Sequence, residues 1–131
     1  MKTGLSALQH VRQVLMASEE FRDITSGRIY YVAASMGATR PYITTARTAI
    51  VSEYTKDGWL KDSVIVAVEA VADSYDTVVR LSEVVRAQLE NKSAKYDGWE
   101  VRDCSLSRST DGYSLEADAF VISLEFTLEI Y

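Results

Sequence analysis

The sequence predicts an α+β fold, a mixed or antiparallel sheet of about five strands with two helices packed on one face, in the order αβββαββ. Three observations carry this. Near the carboxy terminus, Phe120, Ile122, Leu124, Phe126, Leu128 and Ile130 alternate strictly with Val121, Ser123, Glu125, Thr127, Glu129 and Tyr131, the period of a strand with one packed face. The run from Lys61 to Asp73 is almost wholly apolar, which predicts a central strand covered on both faces. Two other stretches repeat apolar residues every three or four positions, as helices do. A chain of 131 residues is the ordinary size of one domain, here residues 1–131, with no internal repeat.

Thr3 caps the first helix, whose apolar residues are Leu5, Leu8, Val11, Leu15 and Met16, running to about Ser18. Glu19 to Thr25 reads as a short helical turn with Phe21 and Ile24 inward, ended by Ser26-Gly27. A short strand follows at Arg28 to Ala33, then a loop from Ser35 to Pro41. Tyr42 to about Tyr54 is dense in Thr, Ile, Val and Tyr and predicts a long strand. Asp57-Gly58 marks a tight connection into Lys61 to Asp73, where Val64, Val66 and Val68 form one face and Ile65, Ala67, Glu69 and Val71 the other. Ser74 caps a helix over Tyr75 to Asn91, with Tyr75, Val78, Val79, Leu81, Val85 and Leu89 inward and Arg80, Glu83, Arg86 and Glu90 in water. Lys92 to Gly98 reads as a polar connector. Trp99 to about Ser107 is a strand with imperfect alternation, Trp99 and Val101 facing one way and Cys104 and Leu106 the other, the mark of a bulge. Thr110, Asp111 and Gly112 read as a bend before the last strand.

Composition removes several function classes. A formal charge of -5 repels a polyphosphate backbone, so specific nucleic-acid binding is not expected. The single cysteine, Cys104, cannot close an internal disulfide, and the reading is a reducing, cytoplasmic setting. Polar residues Gln9, His10, Arg12 and Gln13 interrupt the amino-terminal stretch, which lacks the apolar core of a signal peptide, and Val64 to Val68 is far shorter than a membrane span. With one histidine, a metal site built on two imidazoles is excluded, and the dispersed glycines form no phosphate loop; no cofactor is expected.

The side chains that could carry chemistry have plainer readings. His10 falls on the polar side of the first helix and reads as a solvated surface histidine. Cys104 lies within a strand and reads as a small buried hydrophobe. The acids Glu19, Glu20, Asp73, Asp76, Glu125 and Glu129 occupy helix starts, caps and strand exteriors. Glu69 interrupts the central apolar strand, as a buried acid or, the favoured account, as one paired with an arginine across the sheet or a subunit boundary. The interleaved Arg28-Ile29-Tyr30-Tyr31 and Arg40-Pro41-Tyr42 are the nearest approach to a nucleic-acid patch and read instead as edge-strand aromatics with solvated arginines.

The first helix of the Leu5-x-x-Leu8 type, Gly27-Arg28-Ile29-Tyr30, Arg40-Pro41-Tyr42-Ile43, the long strand pair, the Ser74 to Leu89 helix and the closing Phe120 to Ile130 strand together resemble the small tail-completion or tail-terminator proteins of tailed bacteriophages and prophages. That resemblance implies a virion structural protein without catalysis. It implies six copies in a ring at the head-proximal end of the tail tube, which stops tube growth and joins the head. The implied partners are further copies of the chain, the tail tube protein and the head-tail connector protein, with no membrane. Assembly would take place in the bacterial host cytoplasm and the product would lie in the virion tail. A head-to-tail ring needs two unlike, complementary surfaces on each subunit. The candidates are Tyr54, Trp59 and Leu60 on the long connection and Ile65, Glu69 and Val71 on the second sheet face. The competing reading is a small-ligand-binding or enzymatic α+β domain with a pocket near the Ser35-Pro41 loop.

Overall fold

The computed structural model describes residues Lys2 to Tyr131. A 3₁₀ turn, Gly4–Ser6, leads into α1 (Ala7–Met16) and α2 (Glu19–Thr25); β1 (Ile29–Tyr31), β2 (Tyr42–Thr55) and β3 (Gly58–Ala72) follow, then α3 (Tyr75–Leu89), β4 (Ala94–Tyr96), β5 (Trp99–Ser114) and β6 (Ala119–Ile130). The sheet is mixed and six-stranded, in the order β1-β2-β3-β6-β5-β4, with β1 parallel to β2 and every other pair antiparallel. The α+β class and mixed sheet agree with the sequence reading, while the counts rise to six strands and three helices. β4 is the added strand: Ala94 to Tyr96 has no periodicity of its own and becomes extended by pairing with Trp99 to Val101.

β3 is central, flanked by β2 and β6. Val64, Val66, Val68 and Ala70 are sealed beneath the helices together with Leu124, Phe126, Leu128 and Ile130 of β6 and Val78, Leu81, Val85 and Leu89 of α3. The Ser74 hydroxyl accepts the Thr77 N–H at 3.2 Å and caps α3 as expected. Tyr75 does not turn inward: it is half exposed and its hydroxyl donates to Asp111 at 2.8 Å. Ser26 adopts a left-handed φ of 54° and Gly27 one of 77°, ending α2 where the sequence placed its end.

Three local expectations fail for identifiable reasons. The buried arc of α1 runs through Ala7, His10, Val11 and Leu15, with Val14 beside it, so Leu5 points to solvent and His10 is buried. Of the expected stripe Leu8, Val11, Leu15 and Met16 do pack on the core and only Leu5 leaves it; the arc is wider than those residues marked, because alanine, with a small apolar surface, left Ala7 out of the pattern and with it the side on which His10 lies. Thr110 to Gly112 are not a bend but the middle of β5, held straight by pairing with β6 as far as Ser114. Register shifts between Val101 and Asp103 and between Leu106 and Arg108 confirm the expected bulge and add a second. The first shift puts Cys104 on the same buried side as Val101 rather than opposite it.

Candidate assembly interface

β2 and β3 extend beyond the helix-covered body. Their pairing continues to Thr55 and Gly58, yet residues 51–58 are all exposed, so roughly 15 to 20 Å of hairpin projects as an arm. A two-residue connection, Lys56-Asp57, and Gly58 at φ 119° close the tip. Tyr54 is 70% exposed and stands across from Trp59, with Leu60 as the extra residue where the register slips between Glu53 and Tyr54. Three of the sequence candidates therefore meet on the arm.

At its root the arm is fastened by a residue the sequence reading passed over. Asp62 is buried, and its carboxylate accepts the Gly4 N–H at 2.8 Å, the Trp59 indole N–H at 2.8 Å and the Ser52 hydroxyl. Burial pushes its pKa up, but the three donors together outweigh that and hold it below the usual carboxylate value. Gly4 is required here by contact: a Cβ would stand 2.7 Å from Val64 Cγ2 and 2.8 Å from Asp62. The amino-terminal turn is thus latched to the arm. A cavity of about 360 Å³ lies between them, lined by Leu5, Ile50, Tyr54, Trp59 and Asp62. On the other face of the arm root Lys61 bridges Glu53 at 3.1 Å and Glu129 at 2.9 Å, and these carboxylates raise its pKa.

Among the described residues, the second face of the sheet carries no helix. The half-buried Ile65 stands between Ala49 of β2 and Thr127 of β6, with Ser63 and Ala67 on either side of it along β3 and Glu125 and Glu129 diagonal to it, and Glu69 is exposed. The face expected to be half apolar is mostly small and polar. Glu69 is therefore not the buried acid considered above, and among the described residues it makes no ion pair within its own chain. Val71 differs from its neighbours on this face: flanked by Tyr42 and Val121 at the end of the sheet, it is only 5% exposed and offers almost no surface to a second molecule.

His10 lies under β4, its Nδ1 2.7 Å from the Tyr96 hydroxyl, while Tyr96 stacks on Trp99 at 4.5 Å between centroids. Desolvation lowers its pKa to about 4, so at neutral pH the ring is uncharged. The expectation of a solvated surface histidine is overturned. Cys104 is buried as expected, and burial pushes its thiol up to about 12, the opposite of what a nucleophile needs. A cavity of about 340 Å³ does lie beside the Ser35-Pro41 loop, lined by Met36, Arg40, Tyr42, Ser114 and Glu116. Arg40 there is engaged by Asp73 at 2.7 Å and by the Ala117 carbonyl at 2.8 Å. Among the described residues no group of three or more His, Cys, Asp or Glu side chains is placed to hold a metal, and no helix is long and apolar enough to cross a membrane.

Residues 9–131 match the family model of the tail completion protein gp17. No curated protein matches the chain. Among solved structures, a chain of the virion of a native gene transfer agent (GTA) particle superposes with a TM-score of 0.79 at 15% identity, covering 92% of this chain and 90% of that one. At that identity the likeness is one of fold, and the exposed arm, the helix-free sheet face and the family match over nearly the whole length agree on an assembly part. The chain belongs to the tail completion protein gp17 family, structural components of bacteriophage tails.

Proposed function

We propose that the protein is a tail terminator: a ring of six copies, seated at the head-proximal end of the tail tube, that stops tube growth and presents the surface to which the head connector binds. The observation that carries this reading is the arm. An exposed hairpin with Tyr54, Val51 and Leu60 on it costs solvation on a monomer and becomes useful when another molecule covers it. A ring also needs unlike surfaces, and the arm and the helix-free sheet face are unlike. Family membership supports placement in the virion tail, and the fold shared with a chain of a gene transfer agent virion agrees with it. The role is structural and non-catalytic in this reading. Its partners are further copies, the tube protein and the connector protein, met first in the host cytoplasm.

The experiment is particle assembly without the gene. Tails made in its absence should be of irregular length and fail to join heads, and supplying the protein should restore both. Tubes of normal length in its absence would refute termination. Duplex DNA should show no measurable affinity at physiological salt, since a conduit lined by an acidic chain must let the genome slide.

A further inference from the structure

The sheet leaves two strand edges open. β1 pairs only with Ile43 to Thr45 of β2, and β4 only with Trp99 to Val101 of β5. The β5 edge is then closed a little further by the end of α3: the Asn91 N–H donates to the Cys104 carbonyl at 2.7 Å, and the Leu106 N–H to the Glu90 carboxylate. Among the described residues, β5 from Arg108 to Ser114 has β6 on one side and no strand on the other; β2 is likewise open from Arg47 to Thr55. Unpaired backbone donors and acceptors are a template for an added strand unless the edge is short, bulged or heavily charged. The Arg108–Ser114 run is neither short nor bulged. Beside it, on the helix side, a cavity of about 200 Å³ opens between α3 and β5, lined by Tyr75, Val79, Leu106, Asp111, Ile122 and Leu124.

Resting on the ring reading, we propose that the open edge of β2 in one copy adds as a strand to the Arg108–Ser114 edge of β5 in a second copy, with Tyr54 entering the groove between α3 and β5. Strand direction favours a second copy as the occupant. β2, β3, β6 and β5 alternate in direction, so a neighbour placed in the same orientation sets its β2 antiparallel to β5 and the alternation continues. The same step repeats at each copy, which is the head-to-tail contact a ring requires. Sidedness agrees: Ile50, Ser52 and Tyr54 line the cavity beside the amino-terminal turn and so lie on the helix side, as the groove does. Charge is compatible: on the helix-free side β5 carries Arg108, whose partner within the chain, Glu125, stands a long 3.6 Å away, and β2 carries Glu53, held at 3.1 Å by a Lys61 that it shares with Glu129. The two open stretches occupy opposite halves of the sheet, so pairing them offsets neighbours by roughly 25 Å along the strands and inclines the strands to the ring axis.

Cysteine cross-linking of full-length chains tests this. Val51→Cys and Thr110→Cys place thiols on the two exposed edges, while native Cys104 is buried and stays unreactive. The two variants are mixed at high concentration and treated with a short bis-maleimide, beside light scattering and a thermal melt of each. The expected result is a dimer linked through positions 51 and 110 that forms only in the mixture, and adding Tyr54→Ala to the Val51→Cys chain lowers its yield about tenfold with an unchanged melt. Products linked 51 to 51 or 110 to 110 in its place would mean a two-fold contact and overturn the pairing. Oligomers by light scattering without the 51–110 product would overturn the pairing and leave the ring reading standing. Persistence of the monomer with no product overturns the edge pairing as well; the ring reading is then judged by the assembly experiment above.

Discussion

The two faces of the sheet obey different rules. Under the helices, alternate residues of β3 and β6 are sealed, and the side chains there are mostly Val, Leu, Ile, Phe and Ala, with His10, Thr45, Asp62 and Ser82 as buried polar groups among them. Across the sheet the same strands present Ser63, Ala67, Glu69, Ser123, Glu125 and Thr127, and beyond the body β2 and β3 go on pairing with nothing beneath them. The first face is settled within the chain by burial. The second is built from backbone pairing and small or charged side chains, which hold a strand straight without committing its surface. A subunit that must fold alone and assemble later needs both: a core that does not depend on neighbours and a surface that does not collapse before they arrive.

The sharpest way to break this contrast is to cut into the helix-covered face. Phe126→Ala removes a fully buried ring from the centre of the core and should cost about 3 to 5 kcal/mol by denaturant unfolding. A cost under about 1 kcal/mol would mean that this core is not what holds the sheet. The pH dependence probes the same face. His10 binds fewer protons folded than unfolded between its unperturbed pKa of 6.5 and about 4, so stability falls as pH drops through that window, by about 3 kcal/mol when it is complete. His10→Leu should flatten that part of the stability profile, whereas a profile unchanged from the parent would place the titration elsewhere.

Next in size is the latch that joins body to arm. Asp62→Ala leaves the buried Gly4 N–H, the Trp59 indole and the Ser52 hydroxyl without their acceptor and should cost about 2 to 3 kcal/mol, with faster hydrogen exchange at the arm root. Asp62 sits below the usual carboxylate value, so its contribution is present above the unfolded pKa and is lost as pH falls through the folded one. The smallest effects on folding belong to the open surface. Tyr54→Ala and Ile65→Glu should each shift stability by less than about 1 kcal/mol and weaken self-association at high concentration instead. Trp59→Ala separates the two less cleanly, because its indole also serves Asp62. If Ile65→Glu unfolded the chain outright, the helix-free face would belong to the subunit's own core.

Much of the architecture was legible in the residues, and where legibility stopped follows from what each pattern encodes. The strict alternation of β6, the apolar run of β3, the Ser74 cap and the Ser26-Gly27 stop are local signals, each written in residues that must satisfy their own backbone or bury their own side chains, and each reappears in the structure. Of the candidate interface, Tyr54, Trp59 and Leu60 were readable as exposed apolar residues on one long connection; the structure makes that connection two residues long and sets Tyr54 across from Trp59 on paired strands. Tertiary structure decided the rest. Ser107 to Gly112 carry turn chemistry, and only the ladder with β6 makes them strand; Lys92 to Gly98 is polar, and only β5 draws Ala94 to Tyr96 into the sheet. His10 is buried because β4 closes over it, and Asp62 becomes a hub because an amino-terminal turn 58 residues away delivers a backbone N–H to it. A period in the sequence records which side of an element is apolar. It does not record which element will lie there, and that is fixed only when distant segments compete for the same surface and leave the arm and the helix-free face uncovered.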